Sequence, residues 1–235
     1  MAKWDTEYNV ETVFDLLDDW RNLPSYQLER RADIFFAYYL KEIMKEFCSE
    51  EIDYCQIIPE FPVKKEKEDD YRSNKVDYAV FCEKYLYLIE LKTDMATLKA
   101  SLNGDQSKYL KRAKKTAFSR LIGDIPKIGQ KSSQKKKYKC LIERLNKLTM
   151  PLYGFELTGE PWAEMIKQFE DKKKKSEIPE KEKKIIYICP KEPTEKEKCE
   201  NKHIDCFIHF GKIAELLEKD NERFSKSLNE WIKAE

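Results

Sequence analysis

The chain lacks the residues and spacings that several common chemistries need. Only six glycines occur in 235 residues, and none belongs to a Walker-type phosphate loop or a GxSxG elbow. ATP use and serine-hydrolase chemistry are therefore not expected. The seven cysteines (48, 55, 82, 140, 189, 199 and 206) include no CxxC pair. Their odd number, with Cys55, Cys82, Cys189 and Cys206 inside apolar runs, points to reduced, buried thiols in an intracellular protein. No stretch approaches the roughly 20 apolar residues that span a bilayer. The opening MAKWDTEYNVETVF also has no apolar core of a secretory signal. A soluble, cytoplasmic protein with no membrane partner is the expectation. Net charge is missing too: Lys+Arg 45 against Asp+Glu 44 leaves +1, so total charge names no partner.

What is present is a substantial core and a strong segregation of charge. Apolar residues make up 41% and aromatics 12%, enough to bury a real interior. Residues 1–60 hold six basic and fourteen acidic side chains, whereas residues 108–139 hold twelve basic and a single acid, Asp124. Such polarity suggests that one region faces a polyanion. The basic tract interleaves Tyr109, Phe118 and Tyr138 with its lysines. A solvated helix face and loop is the plainer reading of the same residues.

Along the chain, Glu7–Trp20 reads as a short amphipathic helix, and Ser25 after Pro24 as an N-cap. Leu28, Ala32, Phe35, Phe36, Tyr39, Leu40, Ile43, Met44 and Phe47 recur in steps of three and four, which predicts a helix. Ile52–Val63 is strand-like, with Pro59 and Pro62 implying an edge position. Ala96–Ile122 reads as helical with an interruption at Asn103-Gly104, where Asp105 is placed to cap a second segment. Lys127–Lys139 reads as a basic loop, Cys140–Leu148 as a short helix, and Asp171–Lys184 as a solvated connector. Strands are expected at Ile185–Cys189 and His203–Phe210, separated by the charged loop KEPTEKEKCENK, with a closing helix over Ile213–Ile232. The order implies an α/β or α+β fold, a mixed sheet flanked by helices.

One stretch carries more than structure. KVDYAVFCEKYLYLIELKTD (Lys75–Asp94) reads as an apolar hairpin, yet it contains Asp77, Glu90 and Lys92. A turn centred on Glu83-Lys84 makes paired residue numbers sum to 167, which sets Asp77 opposite Glu90. Cross-strand partners lie about 4.5–5.5 Å apart at Cβ on one face, and Lys92 lies two residues beyond Glu90 on the same side. Facing carboxylates repel unless something neutralises them, and Mg²⁺, which takes oxygen ligands, is the obvious neutraliser. A lysine beside such a metal can orient a water, help deprotonate it, or stabilise charge at phosphorus. The plainer account makes the acids frayed strand ends and Lys92 their salt-bridge partner. ExK alone means little here, since Glu182-Lys183-Lys184 also matches it.

The pattern VDY at Val76–Tyr78 followed by IELK at Ile89–Lys92 resembles the PD-(D/E)XK nuclease superfamily. The family motif is an acid on the second core strand and (D/E)-x-K on the third. The resemblance implies a restriction endonuclease-like α-β-β-β-α-β core within one domain spanning 1–235. That core would run over about 25–122 plus the strands 185–189 and 203–210, with 123–184 an insertion or partly flexible connector. It further implies a metal-dependent nuclease hydrolysing phosphodiester bonds, DNA ahead of RNA, with Mg²⁺ as cofactor and Mn²⁺ able to substitute. Asp77, Glu90 and the Leu91 carbonyl would hold the metal, and Lys92 would assist the water. Glu29, from the first core helix, would be the further catalytic acid, with Asp33 as the fallback. No proline precedes Asp77, which departs from the name motif. RecB-like members carry Gln and Tyr four apart after the lysine; here Gln106 and Tyr109 are three apart. With Lys108, Lys111, Arg112 and Lys115 they form the candidate nucleic-acid contacts. Many relatives act as homodimers. The alternative is a catalytically inactive nucleic-acid-binding or assembly module of the same fold.

Cys199, His203, Cys206 and His209 invite a zinc reading by spacing. HIDCFIHF alternates as a strand, however, which sends Cys206 and His209 to opposite faces.

Overall fold

The computed structural model describes residue 14 and residues 29–48, 56–65, 72–154, 156–157, 162–174 and 178–233. The expected helix over Glu7–Trp20 and the Ser25 cap lie outside these, apart from Phe14, which is helical and buried. Among the described residues the chain is an α/β protein: one five-stranded mixed sheet flanked by nine helices.

The sheet runs in the order of the chain. β1 (Gln56–Lys64), β2 (Ser73–Phe81), β3 (Tyr85–Leu91), β4 (Glu182–Cys189) and β5 (Cys206–His209) lie side by side. β1–β2 and β2–β3 are antiparallel and β4–β5 is parallel. The edge position inferred from Pro59 and Pro62 is where β1 sits, because a proline cannot donate to a second neighbour. All seven residues of β3 are buried, as both-face apolarity requires of a central strand.

By its contacts the chain divides into two compact units. The first comprises Met1–Ile52, Leu91–Asn103 and Ile186–Glu235. It contains α1 (Glu29–Cys48), α2 (Met95–Asn103), α7 (Glu195–Glu200), α8 (Phe210–Leu217) and α9 (Glu222–Lys233). The apolar stripe of α1 buries Ala32, Phe36, Leu40, Ile43 and Met44, while Ile34 and Tyr38 on the far side are exposed. Phe14 stacks on Phe224 at 5.0 Å, and Phe36 meets the same ring edge-on at 5.4 Å. The backbone N–H of Lys92, just past β3, donates to the Ile188 carbonyl of β4 at 2.8 Å.

The second unit comprises Asp53–Glu90 and Gly104–Ile185. It contains α3 (Asp105–Lys115), α4 (Phe118–Lys131), α5 (Lys135–Tyr153) and α6 (Trp162–Lys174). Phe81 of β2 meets Phe118 of α4 at 6.3 Å.

Several elements differ from the sequence expectation for local reasons. Lys127–Lys139 is not a loop: α4 continues to Lys131, and only Ser132–Gln134 interrupt before α5. The apolar positions Leu121, Ile122, Ile125 and Ile128 are buried and hold α4 helical beneath its basic side chains. The expected connector is shorter, since α6 extends to Lys174 and β4 starts at Glu182. Asp105 does not cap α3: Gly104 is the N-cap, and Asp105 is the first helical residue, an acid in the first turn where the helix dipole favours it. The charged loop after β4 folds into α7 because Thr194 and Glu197 form a reciprocal capping box. The strand expected from His203 begins at Cys206 and ends at His209, whose Nδ1 accepts from the Lys212 N–H and starts α8. The single closing helix is two, α8 and α9, with the Asn221 carboxamide accepting from the Phe224 N–H at the second start.

Candidate active site

The hairpin has the register that pairing to a sum of 167 requires. Tyr78 pairs with Ile89, Ala79 with Leu88, Val80 with Tyr87 and Phe81 with Leu86. The Cys82 N–H donates to the Tyr85 carbonyl at 3.0 Å, closing a two-residue turn at Glu83-Lys84. The paired residues end at Tyr78 and Ile89; the same register continued one residue outward would set Asp77 opposite Glu90. Asp77 is half-buried and Glu90 fully buried.

A third acid joins this row, and sequence reasoning missed it. β1 pairs Pro59 with Tyr78 and Phe61 with Val76, so Glu60 occupies the position across from Asp77. Glu60 has φ of 53°, an unusual backbone state for a non-glycine residue. Its exposed carboxylate pairs with Lys75 Nζ at 3.2 Å. Only the β1–β2 register could reveal Glu60, because no local motif surrounds it.

A buried carboxylate needs donors, and α3 supplies them. Gly104 breaks the helix after α2, and the restarted helix directs Gln106 and Tyr109, one turn apart, onto Glu90. Tyr109 OH donates to Glu90 Oε1 at 2.8 Å, and Gln106 Nε2 donates to Glu90 Oε2. The phenol oxygen also lies 2.7 Å from the Lys75 carbonyl oxygen, so its single proton serves two acceptors. Burial foremost, and then the Glu90 charge beside it, raise the Tyr109 pKa, so the phenol stays a donor. The Asp77 charge acts in the same direction, which puts Asp77 within electrostatic reach of the phenol.

The other candidate residues divide clearly. Lys108, Lys111, Arg112 and Lys115 turn away from Glu90 and line a concavity of about 470 Å³ with Thr116, Ala117 and Arg120. The Arg112 guanidinium donates to the Lys64 carbonyl at 3.1 Å. Gln106 and Tyr109 are not part of that lining; their contacts are with the carboxylate. In the first unit, Lys92 is buried and its Nζ donates to the Leu91 carbonyl at 2.8 Å, the oxygen that the resemblance implies as a metal ligand. Glu29 opens α1, and its side chain lies outside the described part of the structure; Asp33 is exposed.

Among the described residues, no three His, Cys, Asp or Glu side chains come together closely enough to hold a metal ion. This bears on the zinc reading, whose four residues are all described: Cys199 is exposed on α7, and the His209 ring caps α8. For Mg²⁺ the requirement is lighter, since one or two carboxylates suffice when water and phosphate oxygens complete the octahedron. Asp77 and Glu90 fit that donor chemistry.

None of the six described cysteines is in a disulfide; of the four expected to be buried, Cys82 and Cys189 are, Cys206 is half-buried, and Cys55 lies outside the described residues. Burial pushes the Cys189 thiol up to about 12. No helix among the described residues is long and apolar enough to cross a membrane. Compared with protein-family models, with curated proteins and with solved structures, the chain matches none of them.

Proposed function

We propose that the chain is a metal-dependent nuclease of the PD-(D/E)XK type that hydrolyses phosphodiester bonds, with DNA as the favoured substrate. The observation that supports this reading is the β2–β3 register, whose continuation one residue past Tyr78–Ile89 would set Asp77 opposite a fully buried Glu90, with Lys92 two residues further along the chain. A sheet has no structural use for two acids at adjoining positions on central strands, where like charges destabilise.

In this reading Asp77 and Glu90 hold Mg²⁺ or Mn²⁺. When bound, the ion supplies Lewis-acid stabilisation of charge on the phosphate oxygens. Tyr109 and Gln106 orient the Glu90 carboxylate, as supporting groups commonly do for metal ligands. Lys92 holds the attacking water in line with phosphorus or draws off its proton. Lys108, Lys111, Arg112 and Lys115 hold the substrate backbone by phosphate contacts, which carry no sequence information.

The test is cleavage of plasmid DNA by the purified chain in MgCl₂. Cleavage is expected to stop with EDTA and to fall at least a thousandfold in Asp77→Ala and Lys92→Ala, with circular dichroism unchanged. Cleavage by either variant at the wild-type rate would sink the assignment. A second reading, an inactive nucleic-acid-binding module, draws on the hydrogen bonds that already engage both Glu90 oxygens. It expects salt-sensitive binding with no cutting in either metal.

A further inference from the structure

On the unit formed by Asp53–Glu90 and Gly104–Ile185, three concavities follow one another across the surface. Arg120 lines both the first, beside α3, and the second, of about 380 Å³. Lys64 of the second and Lys65 of the third are chain neighbours at the end of β1. Lys127 of the second and Lys131 of the third are four apart on α4, and so on the same helix face. The third concavity, about 470 Å³, adds Arg72 from the start of β2.

The charge count decides what this surface is. Among the described residues, the first lining contributes five Lys and Arg, the second three more and the third three more, with Asp124 the acid in the linings, Glu170 paired to Lys127 at 2.7 Å and Asp105 paired to Lys108 at 3.1 Å. In a chain with 45 basic and 44 acidic residues, eleven Lys and Arg gathered in these linings make a segregated field. It is also convergent. Lys64, Lys65, Arg72 and Lys173 lie outside the basic run of 108–139 and are brought to it by β1, β2 and α6.

Among the described residues the linings contain a single aromatic residue, Tyr138, whose hydroxyl lies 3.5 Å from Ser73 Oγ. Single-strand binders combine basic grooves with several aromatic platforms for base stacking. Among the described residues this surface offers many phosphate contacts and one aromatic ring. We infer that the face running from Lys111 through Arg120 to Arg72 grips the sugar–phosphate backbone of a nucleic-acid duplex without reading its bases. The inference extends the nuclease reading, from which it takes only the ligand class.

The experiment is fluorescence anisotropy with a labelled duplex DNA of arbitrary sequence, run in EDTA so that hydrolysis plays no part. A duplex of scrambled sequence and a single strand of equal length are the companions. Each phosphate neutralised contributes about 0.9 to the slope of log K against log salt, so roughly six contacts make the slope about −5. Arg120→Ala, at an exposed position, is expected to weaken binding about fivefold and make the slope shallower by about 1; Lys111→Ala/Lys115→Ala should change it by about 2. Scrambling the sequence should change nothing. Tighter binding of the single strand, a flat salt response, or wild-type affinity in both variants would each overturn the inference. A chain that binds the duplex this way but never cuts sinks the nuclease reading and leaves this one. A chain that cuts while ignoring these substitutions sinks this one alone.

Discussion

Glu90 concentrates the energetics of the candidate site. A fully buried carboxylate is costly unless charge-assisted hydrogen bonds replace its water. Tyr109 and Gln106 supply such bonds from one turn of α3. Removing the phenol hydroxyl takes away the one donor that the carboxylate and the Lys75 carbonyl share. Tyr109→Phe is therefore expected to lower unfolding free energy by about 1.5–3 kcal/mol, the cost of leaving a buried charged group short of a partner. Urea denaturation at neutral pH measures it; a loss below 0.5 kcal/mol, on the order of a surface substitution, would mean that Tyr109 does not support Glu90.

At the level of elements, α3 works in two directions: Gln106 and Tyr109 meet the sheet while Lys108, Lys111 and Lys115 are exposed. The helix thus joins the hairpin to the basic face. Its neighbour α4 depends on close approach. A Cβ at Gly129 would lie 2.7 Å from the Trp162 ring of α6 and 2.9 Å from Tyr138 Cβ. In an open helix, Gly→Ala gains about 1 kcal/mol; here overpacking costs about 1–3 kcal/mol. Gly129→Ala should therefore lower the thermal midpoint, and a rise would show that α6 can withdraw without loss.

Over the whole molecule, charge is sorted although the total nearly cancels. The acidic excess of residues 1–60 and the basic excess of 108–139 are features of sequence. The face of three concavities is a feature of folding. The proposed divalent ion at Asp77 and Glu90 would be linked to global stability, because an ion that binds only the native state stabilises it. At tenfold excess over Kd the gain is about 1.4 kcal/mol, roughly 3 to 5 °C in Tm for a chain of this size. Mg²⁺ should raise the Tm of the wild type and leave that of Asp77→Ala unmoved; equal shifts in both would remove the ion from this pair.

The hairpin, its turn and its register were legible because strand alternation and a two-residue turn are local rules: once Glu83-Lys84 is the turn, Tyr78 pairs with Ile89 and Phe81 with Leu86. The apolar stripe of α1 and the edge position of β1 were legible for similar reasons. Charge-rich segments were misread where lysines masked an apolar stripe in α4 and a capping box in α7. Only the tertiary structure decided that Glu60 lies across from Asp77, that Gln106 and Tyr109 serve Glu90, and that Lys64, Arg72 and Lys173 join the basic face. These are contacts between residues far apart in the chain. Their geometry depends on how strands pair and helices pack, which local periodicity does not encode.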